Sequence, residues 1–177
     1  MAQTRKQRKM YKSVSAEEAV KVIKSNDRVY VQAAAAAPLK LTNAMSARHE
    51  ELKNVEVCHL HTEGKALYAN PEYKESFHVN SFFIGKNVRH TLKAGNGSYT
   101  PVFLSELPLL FKRNIVDLDV ALIHVSVPDK HGYCSLGVSV EATLAAIENA
   151  TYVIAQINKQ MPRTFGAGII HISEINA

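Results

Sequence analysis

The sequence has 177 residues, of which 46% are hydrophobic and 21% charged, with 21 Lys and Arg against 16 Asp and Glu. Arg5, Lys6, Arg8, Lys9 and Lys12 all precede the first acid, Glu17, and removing these five leaves 16 basic against 16 acidic groups. A neutral body argues against a nucleic-acid-binding domain, whose basic patch sits on the folded part. No run approaches the roughly 18 apolar residues of a membrane helix, and no apolar segment follows the basic start as a secretory signal requires. Residues 1–12 are therefore read as a basic arm, solvated or packed on the body. Their lack of acids is a transit-peptide feature, against which their shortness and weak amphipathicity count. The rest, 13–177, has the size of one α/β domain.

Ser15-Ala-Glu-Glu18 is a capping box, and Ala16, Ala19, Val20 and Ile23 follow at helical spacing until Asn26-Asp27 breaks the helix. Arg28–Ala33 reads as a strand. A run of alanines leads to Pro38, which suits the first turn of a helix reaching about Leu52. Val55–Leu60 is the next strand and His61–Tyr73 a loop. Ser76–Ile84 reads as a strand, Asn87–Lys93 as a short helix, and Gly95-Asn-Gly97 as a break. Ser105–Lys112 forms a short helix with Pro108 near its first turn, and Asp119–Val125 is a buried-type strand. Ser126–Gly137 is rich in turn residues. A helix over Val138–Asn149, a strand over Thr151–Ile157 and a last strand within Gly168–Ser173 complete the pattern. Strands alternating with helices predict an α/β fold: an open, mostly parallel sheet with helices on both faces. Such sheets bind ligands beyond the carboxyl ends of their strands. Those loops are Ala34–Pro38, His61–Tyr68, Gly85–Asn87, Ser126–Gly137 and Asn158–Gly166.

Each loop admits a chemical and a structural reading. The alanine run lets a ligand approach a helix N-terminus, or it simply lets the helix pack close to the sheet. Its lack of glycine weakens a phosphate-cradle reading. His59 and His61 share a strand face, as a metal pair would, but no third ligand accompanies them, and a core histidine beside a loop histidine is the simpler account. Glu63 is a candidate acid or nucleophile, or a solvated carboxylate. His131 with Cys134 or Ser135 suggests a nucleophile and its base, yet nothing nearby orients the base or forms an oxyanion hole, so a cleft-shaping loop is favoured. Asn87, Arg89 and His90 form an anion-facing edge or a solvated helix face. Phe82, Phe83, Phe103, Leu109, Leu110 and Phe111 read as core. Cys58 and Cys134 are far apart and in no metal-like pair, so reduced thiols and a cytoplasmic setting are expected.

Taken together, the segments carry a resemblance. They are Tyr11-Lys12 with Ser15–Val20; the small-residue loop ending Ala37-Pro38; Phe82–Gly85 with Arg89; Tyr99-Thr-Pro101 followed by Glu106-Leu-Pro108; Val120–Ile123; Ser126–Asp129 through His131–Ser139; Met161–Gly166; and Ile170–Ser173. In this order they resemble the amino-terminal half of the acetyl-CoA hydrolase/transferase family, in the branch of 4-hydroxybutyrate and butyryl-CoA:acetate CoA-transferases. The resemblance implies two similar α/β halves and a ping-pong exchange through a glutamyl-CoA thioester, with coenzyme A as substrate and no metal or redox cofactor. It places the nucleophilic glutamate downstream of Ala177, so no catalytic residue is expected in this chain and neither Glu63 nor Glu106 takes that role. Substrate contacts map onto Ala34, Ala35, Ala36, Ala37, Pro38, His61, Thr62, Arg89, Gly132, Ser135 and Gly137. The implied partners are an acyl-CoA, a short carboxylate, the carboxy-terminal half and further copies of the chain, with neither nucleic acid nor membrane. Three readings follow: a fragment of a CoA-transferase or acyl-CoA hydrolase, a natural half that pairs with a separate polypeptide, or a non-catalytic binding domain. A half-domain also predicts an exposed apolar face and self-association.

Overall fold

The computed structural model describes residues 13–177; the basic arm expected over 1–12, with the Tyr11-Lys12 match, lies outside them. Six parallel strands form the main sheet: β1 (Arg28–Val31), β2 (Val55–His59), β3 (Phe77–Ser81), β4 (Gly97–Tyr99), β5 (Leu118–Ser126) and β7 (Ala150–Asn158), in the order β4-β3-β2-β1-β5-β7. β6 (Tyr133–Ser135) and β8 (Ile169–His171) pair antiparallel in a small separate sheet. The last predicted strand therefore leaves the main sheet, and the Ser126–Gly137 loop contains a strand of its own.

Alternation along the strands divides the core in two. Val29, Val31, Val55, Val57, Phe77, Val79, Val120, Leu122 and Ile154 point to one face. There they meet α1 (Ala16–Ala19) and α2 (Leu39–Ser46) through Ala19, Leu41 and Met45. Tyr30, Cys58, Ala121, Ile123, Val125 and Val153 point to the other. They pack on Leu107 and Phe111 of α4 (Leu107–Lys112) and on Ala145, Ala146 and Ile147 of α5 (Thr143–Asn149). Burying each large side chain contributes on the order of 2 kcal/mol. β5 is buried at every position but Asp119, as a central parallel strand between two helical layers requires.

Towards β4 the second face turns polar. Arg28 Nε donates to Glu56 at 2.9 Å, Asn80 Nδ2 to the other Glu56 oxygen at 2.8 Å, and Thr100 Oγ1 to Asn80 at 2.9 Å. Burial raises the Glu56 carboxyl, but the bonds from Asn80 and Arg28 outweigh it and hold the group below its ordinary value. Asn26, Asn54, Asp117 and Asp119 join Arg28 and Glu56 around a 290 Å³ hollow at the amino ends of the strands. Beyond this ladder, Tyr99, Phe103, Leu104, Leu109 and Ile115 expose large apolar side chains on the β4–β5 connection.

α2 ends at Ser46, short of the expected Leu52, and α3 begins at Thr91, later than the expected Asn87; three further elements differ from the sequence reading for physical reasons. The Ser15 hydroxyl accepts from Glu18 N at 3.2 Å, but Glu18 pairs with Lys21 instead of completing the box. The first helix is α1 continued by a 3₁₀ turn, Val20–Val22. α5 begins at Thr143, not Val138, because Glu141 adopts φ +27° and the Leu136 and Ser139 carbonyls are taken by Gln32. β4 replaces the expected break, since Gly97 lets it pass α3 (Thr91–Ala94): a Cβ there would lie 2.0 Å from Thr91 Oγ1. Among the described residues no helix is long and apolar enough to cross a membrane.

Candidate substrate-loop site

The chain order of the strands reverses at β1. β2, β3 and β4 extend to one side and β5 and β7 to the other. A crevice opens at such a switch point, outside the carboxyl ends of the strands. The alanine run sits there. Ala34 adopts φ +53° in place of a glycine and bridges to Thr62, with its amide donating to the His61 carbonyl at 3.0 Å. Asn87 Nδ2 donates to the carbonyls of Thr62 and Gly64 at 3.0 and 3.1 Å. Asn87 thus holds the β2 loop from behind, a role its sequence context did not signal.

Gln32 links this cluster to the other side of the crevice. Its Nε2 donates to the carbonyls of Leu136 and Ser139 at 3.1 and 2.7 Å, and its Oε1 accepts from His124 N at 2.7 Å. Glu141 accepts the Ala33 amide at 3.1 Å and the Ala142 amide at 2.8 Å. Burial raises the Glu141 carboxyl above its ordinary value despite these bonds. Sequence reasoning missed both residues. A Gln at a strand end and a Glu before a helix carry no motif; only the fold brings them together.

Most of the amides that an anion cradle at the alanine run would use are already bonded within the chain. The amides of Ala36 and Ala37 close turns onto the carbonyls of Ala33 and Ala34. In α2, Leu39 N, Lys40 N and Thr42 N donate to Ala37 O, Gln156 Oε1 and Pro38 O. Among the alanine amides only that of Ala35, the exposed residue of the run, meets no partner among the described residues. Pro38 occupies the N-cap position.

The predicted Gly132–Gly137 contacts fall into two places. Ser135 is fully buried, and its Oγ accepts from Gly137 N at 3.0 Å and Thr164 N at 3.1 Å. It staples the loop to the Asn158–Gly166 segment. Gly137 packs under Met161, whose Sδ lies 2.1 Å from where a Cβ would stand. Gly132 lies apart, in the turn just before β6 and beside His171 of β8. Arg163 spans the same segment, donating to Tyr133 O at 3.0 Å and pairing with Asp129 at 3.2 Å. Arg89 is exposed before α3, and none of the bonds joining the other loops reaches it. His61 is half-buried, edge-on to Phe83 with ring centroids 5.9 Å apart.

Burial pushes the Cys134 thiol up to about 11 and also raises Cys58, so neither is a ready thiolate at neutral pH. Burial lowers His124. Among the described residues no three His, Cys, Asp or Glu side chains are placed to hold a metal ion. The loops ordered by these bonds present carbonyls, small side chains and a few neutral polar groups.

Comparison with known proteins gives a consistent result. The sequence profile of the acetyl-CoA hydrolase/transferase N-terminal domain matches residues 1–177. A succinyl-CoA:acetate/propanoyl-CoA:succinate CoA transferase of Fasciola hepatica is 44% identical over 155 residues, covering 86% of this chain and 32% of that protein. A 4-hydroxybutyrate coenzyme A transferase of Clostridium kluyveri is 42% identical over 165 residues, covering 93% and 38%. Among solved structures, a 4-hydroxybutyrate CoA-transferase of Porphyromonas gingivalis superposes with a TM-score of 0.75 at 36% identity, covering 92% of this chain and 37% of that one. RipA of Yersinia pestis superposes with a TM-score of 0.86 at 28% identity, covering 93% and 41%. The chain spans about a third of the length of the curated relatives it matches.

Proposed function

The chain belongs to the acetyl-CoA hydrolase/transferase family, and from that premise we propose that it is the substrate-loop half of a CoA-transferase. The enzyme moves CoA between a short-chain acyl-CoA and a carboxylate acceptor of the acetate, butyrate or 4-hydroxybutyrate class. The observation that supports this reading is the set of contacts that joins the loops at the β1/β5 switch point. There Ala34–Thr62, Gln32–Leu136 and Glu141–Ala33 join three loops into one lining.

In the proposed reaction a glutamate carboxylate from the complementary half attacks the thioester carbonyl. The C–S bond breaks and CoA leaves as thiolate, giving a mixed anhydride. The thiolate then attacks the glutamyl carbonyl, releasing the acyl group as a carboxylate and leaving a glutamyl-CoA thioester. An acceptor carboxylate reverses the two steps and takes the CoA. This chain's part is to orient both carboxylates and keep water from the anhydride. Coenzyme A is a substrate, and the chemistry calls on no metal or redox group. The partners in this reading are the complementary half and further copies of the chain, in the cytoplasm.

Mixing the chain with a polypeptide carrying the remaining two-thirds of a relative tests the proposal. CoA exchange between acyl-CoA and acetate is expected in the mixture and not with either piece alone. Exchange by the chain alone would place the nucleophile here and overturn the assignment. Ligand binding without recovered exchange would favour a non-catalytic binding domain.

A further inference from the structure

Below Thr62, at the end of β2, lies a group of buried polar side chains that the proposed chemistry does not use. His59 is fully buried, and neither ring nitrogen meets a partner among the described residues. Tyr68 is 1% exposed, and its hydroxyl likewise meets none. The two rings lie 6.1 Å apart between centroids, tilted by 58°. The Thr62 hydroxyl is the hydrogen-bonding neighbour of the Tyr68 phenol, although the pair falls short of good hydrogen-bond geometry, and its other contact is a long 3.4 Å one to Glu63 O. The two His59 nitrogens without partners are costly, at more than a typical hydrogen bond each, and the Tyr68 and Thr62 hydroxyls beside them are poorly satisfied. Such a cost points to a ligand or to water.

The backbone delivers Tyr68 to this place by a strained route. Gly64 takes φ +84°, and Ala66, an alanine buried in the core, takes the left-handed conformation at φ +46°, ψ 57°. That conformation is uncommon for a residue with a Cβ and tends to persist where function needs it.

We propose that His59, Thr62 and Tyr68 form an uncharged subsite that takes a neutral hydroxyl, the far end of a hydroxylated short-chain acyl group. The proposal rests on the CoA-transferase reading and deepens it. The chemistry of the three groups selects the ligand. Burial holds His59 down to about 4, so its ring is neutral at physiological pH, and burial likewise keeps the Tyr68 phenol protonated. Imidazole, phenol and alcohol each donate and accept, as a hydroxyl does. The charged residues of the loop, Glu63 and Lys65, are exposed, so no cation accompanies a buried carboxylate here. A methyl end would leave the three groups as unpaired as before, and sites of this kind discriminate strongly against the analogue that lacks the hydroxyl.

The test measures affinities of 4-hydroxybutyrate, butyrate and succinate for the chain by NMR titration, in the wild type and in Tyr68→Phe and Thr62→Val. Both variants keep shape and remove a hydroxyl. The wild type is expected to bind 4-hydroxybutyrate at least tenfold tighter than butyrate or succinate. Each variant is expected to reduce that ratio to within about threefold by weakening 4-hydroxybutyrate alone. A wild type without the preference, or a preference kept in both variants, overturns the subsite. If CoA exchange is recovered in the mixture of halves but the preference is absent, the subsite fails and the transferase reading stands. If no carboxylate binds and no exchange is recovered, both fail.

Discussion

Glu141 accepts the Tyr30 hydroxyl at 2.7 Å, across 111 positions of sequence. One carboxylate thereby holds the middle of β1 and, through the Ala33 amide, its carboxyl end, while also capping α5 through Ala142 N. Glu141→Ala leaves the buried Ala33 amide without its acceptor and the Tyr30 phenol with Thr143 Oγ1, 2.9 Å away, in place of the carboxylate, at a cost of roughly 2–4 kcal/mol. The expected fall in Tm is about 5–15 °C. Glu141→Gln, which keeps one acceptor oxygen, should cost less than half as much. Thermal unfolding followed by circular dichroism reads both, and equal losses in the two variants would contradict the acceptor role.

Acid should destabilise the fold through His59. Its folded value of about 4 lies below its ordinary 6.5. The unfolded chain therefore binds the proton more tightly. The contribution of His59 is fully present above pH 6.5 and is lost as pH falls towards 4, to the order of 3 kcal/mol. Glu141 acts oppositely: its raised folded value gives stability that is present below its ordinary 4.5 and lost as pH rises through the raised value. Urea unfolding from pH 7 to 4 should accordingly show a shallower loss in His59→Phe and a steeper one in Glu141→Gln.

Two glycines at positive φ should respond differently to alanine. At Gly137, φ +71°, a Cβ would stand 2.1 Å from Met161 Sδ; at Gly95, φ +82°, it would meet nothing within 4 Å. Gly95→Ala carries the left-handed penalty of about 1–2 kcal/mol. Gly137→Ala adds overpacking, about 1–3 kcal/mol more. Unfolding midpoints compared side by side measure the difference, and equal losses would mean that Met161 yields freely.

Arg163 ties the Val127–Tyr133 segment through two carbonyls and the Asp129 carboxylate. Lysine cannot reproduce this fork. Arg163→Lys should leave global stability within about 1 kcal/mol, since the pair is exposed. It should nevertheless speed tryptic cleavage after Lys130 several-fold. An unchanged cleavage rate would show that β6–β8 pairing alone holds the segment.

Much of the architecture was legible because it rests on local signals. Val29, Val57 and Val120 stand in apolar runs bounded by turn residues, and the loops at the strand ends follow from parallel topology. Pro108 near the start of α4 was readable from its preference for a first turn. β4 was not legible, because three residues beginning with glycine carry no period, and its place is decided by Thr91 packing on Gly97. The site divides the same way. Ala34 and Thr62 were found as loop residues and do meet. Gln32, Asn87 and Glu141 were missed as organisers, because their bonds span up to 108 positions. Tyr68 carries no signal in the loop it ends, and its hydroxyl becomes a neighbour of Thr62 only in the folded chain.

The polar ladder on β2–β4 has a consequence for whatever approaches that face. Arg28, Glu56, Asn80 and Thr100 already satisfy one another across neighbouring strands. Their donors and acceptors are committed, so water gains little by staying and an arriving surface gains few new bonds by displacing it. Association there would depend on fit and would show little dependence on salt. The exposed apolar side chains from Tyr99 to Ile115, at the rim of the same face, would supply the adhesion. A sheet of this kind separates the two tasks: its interior gives a level, self-contained floor, and its border determines whether anything stays.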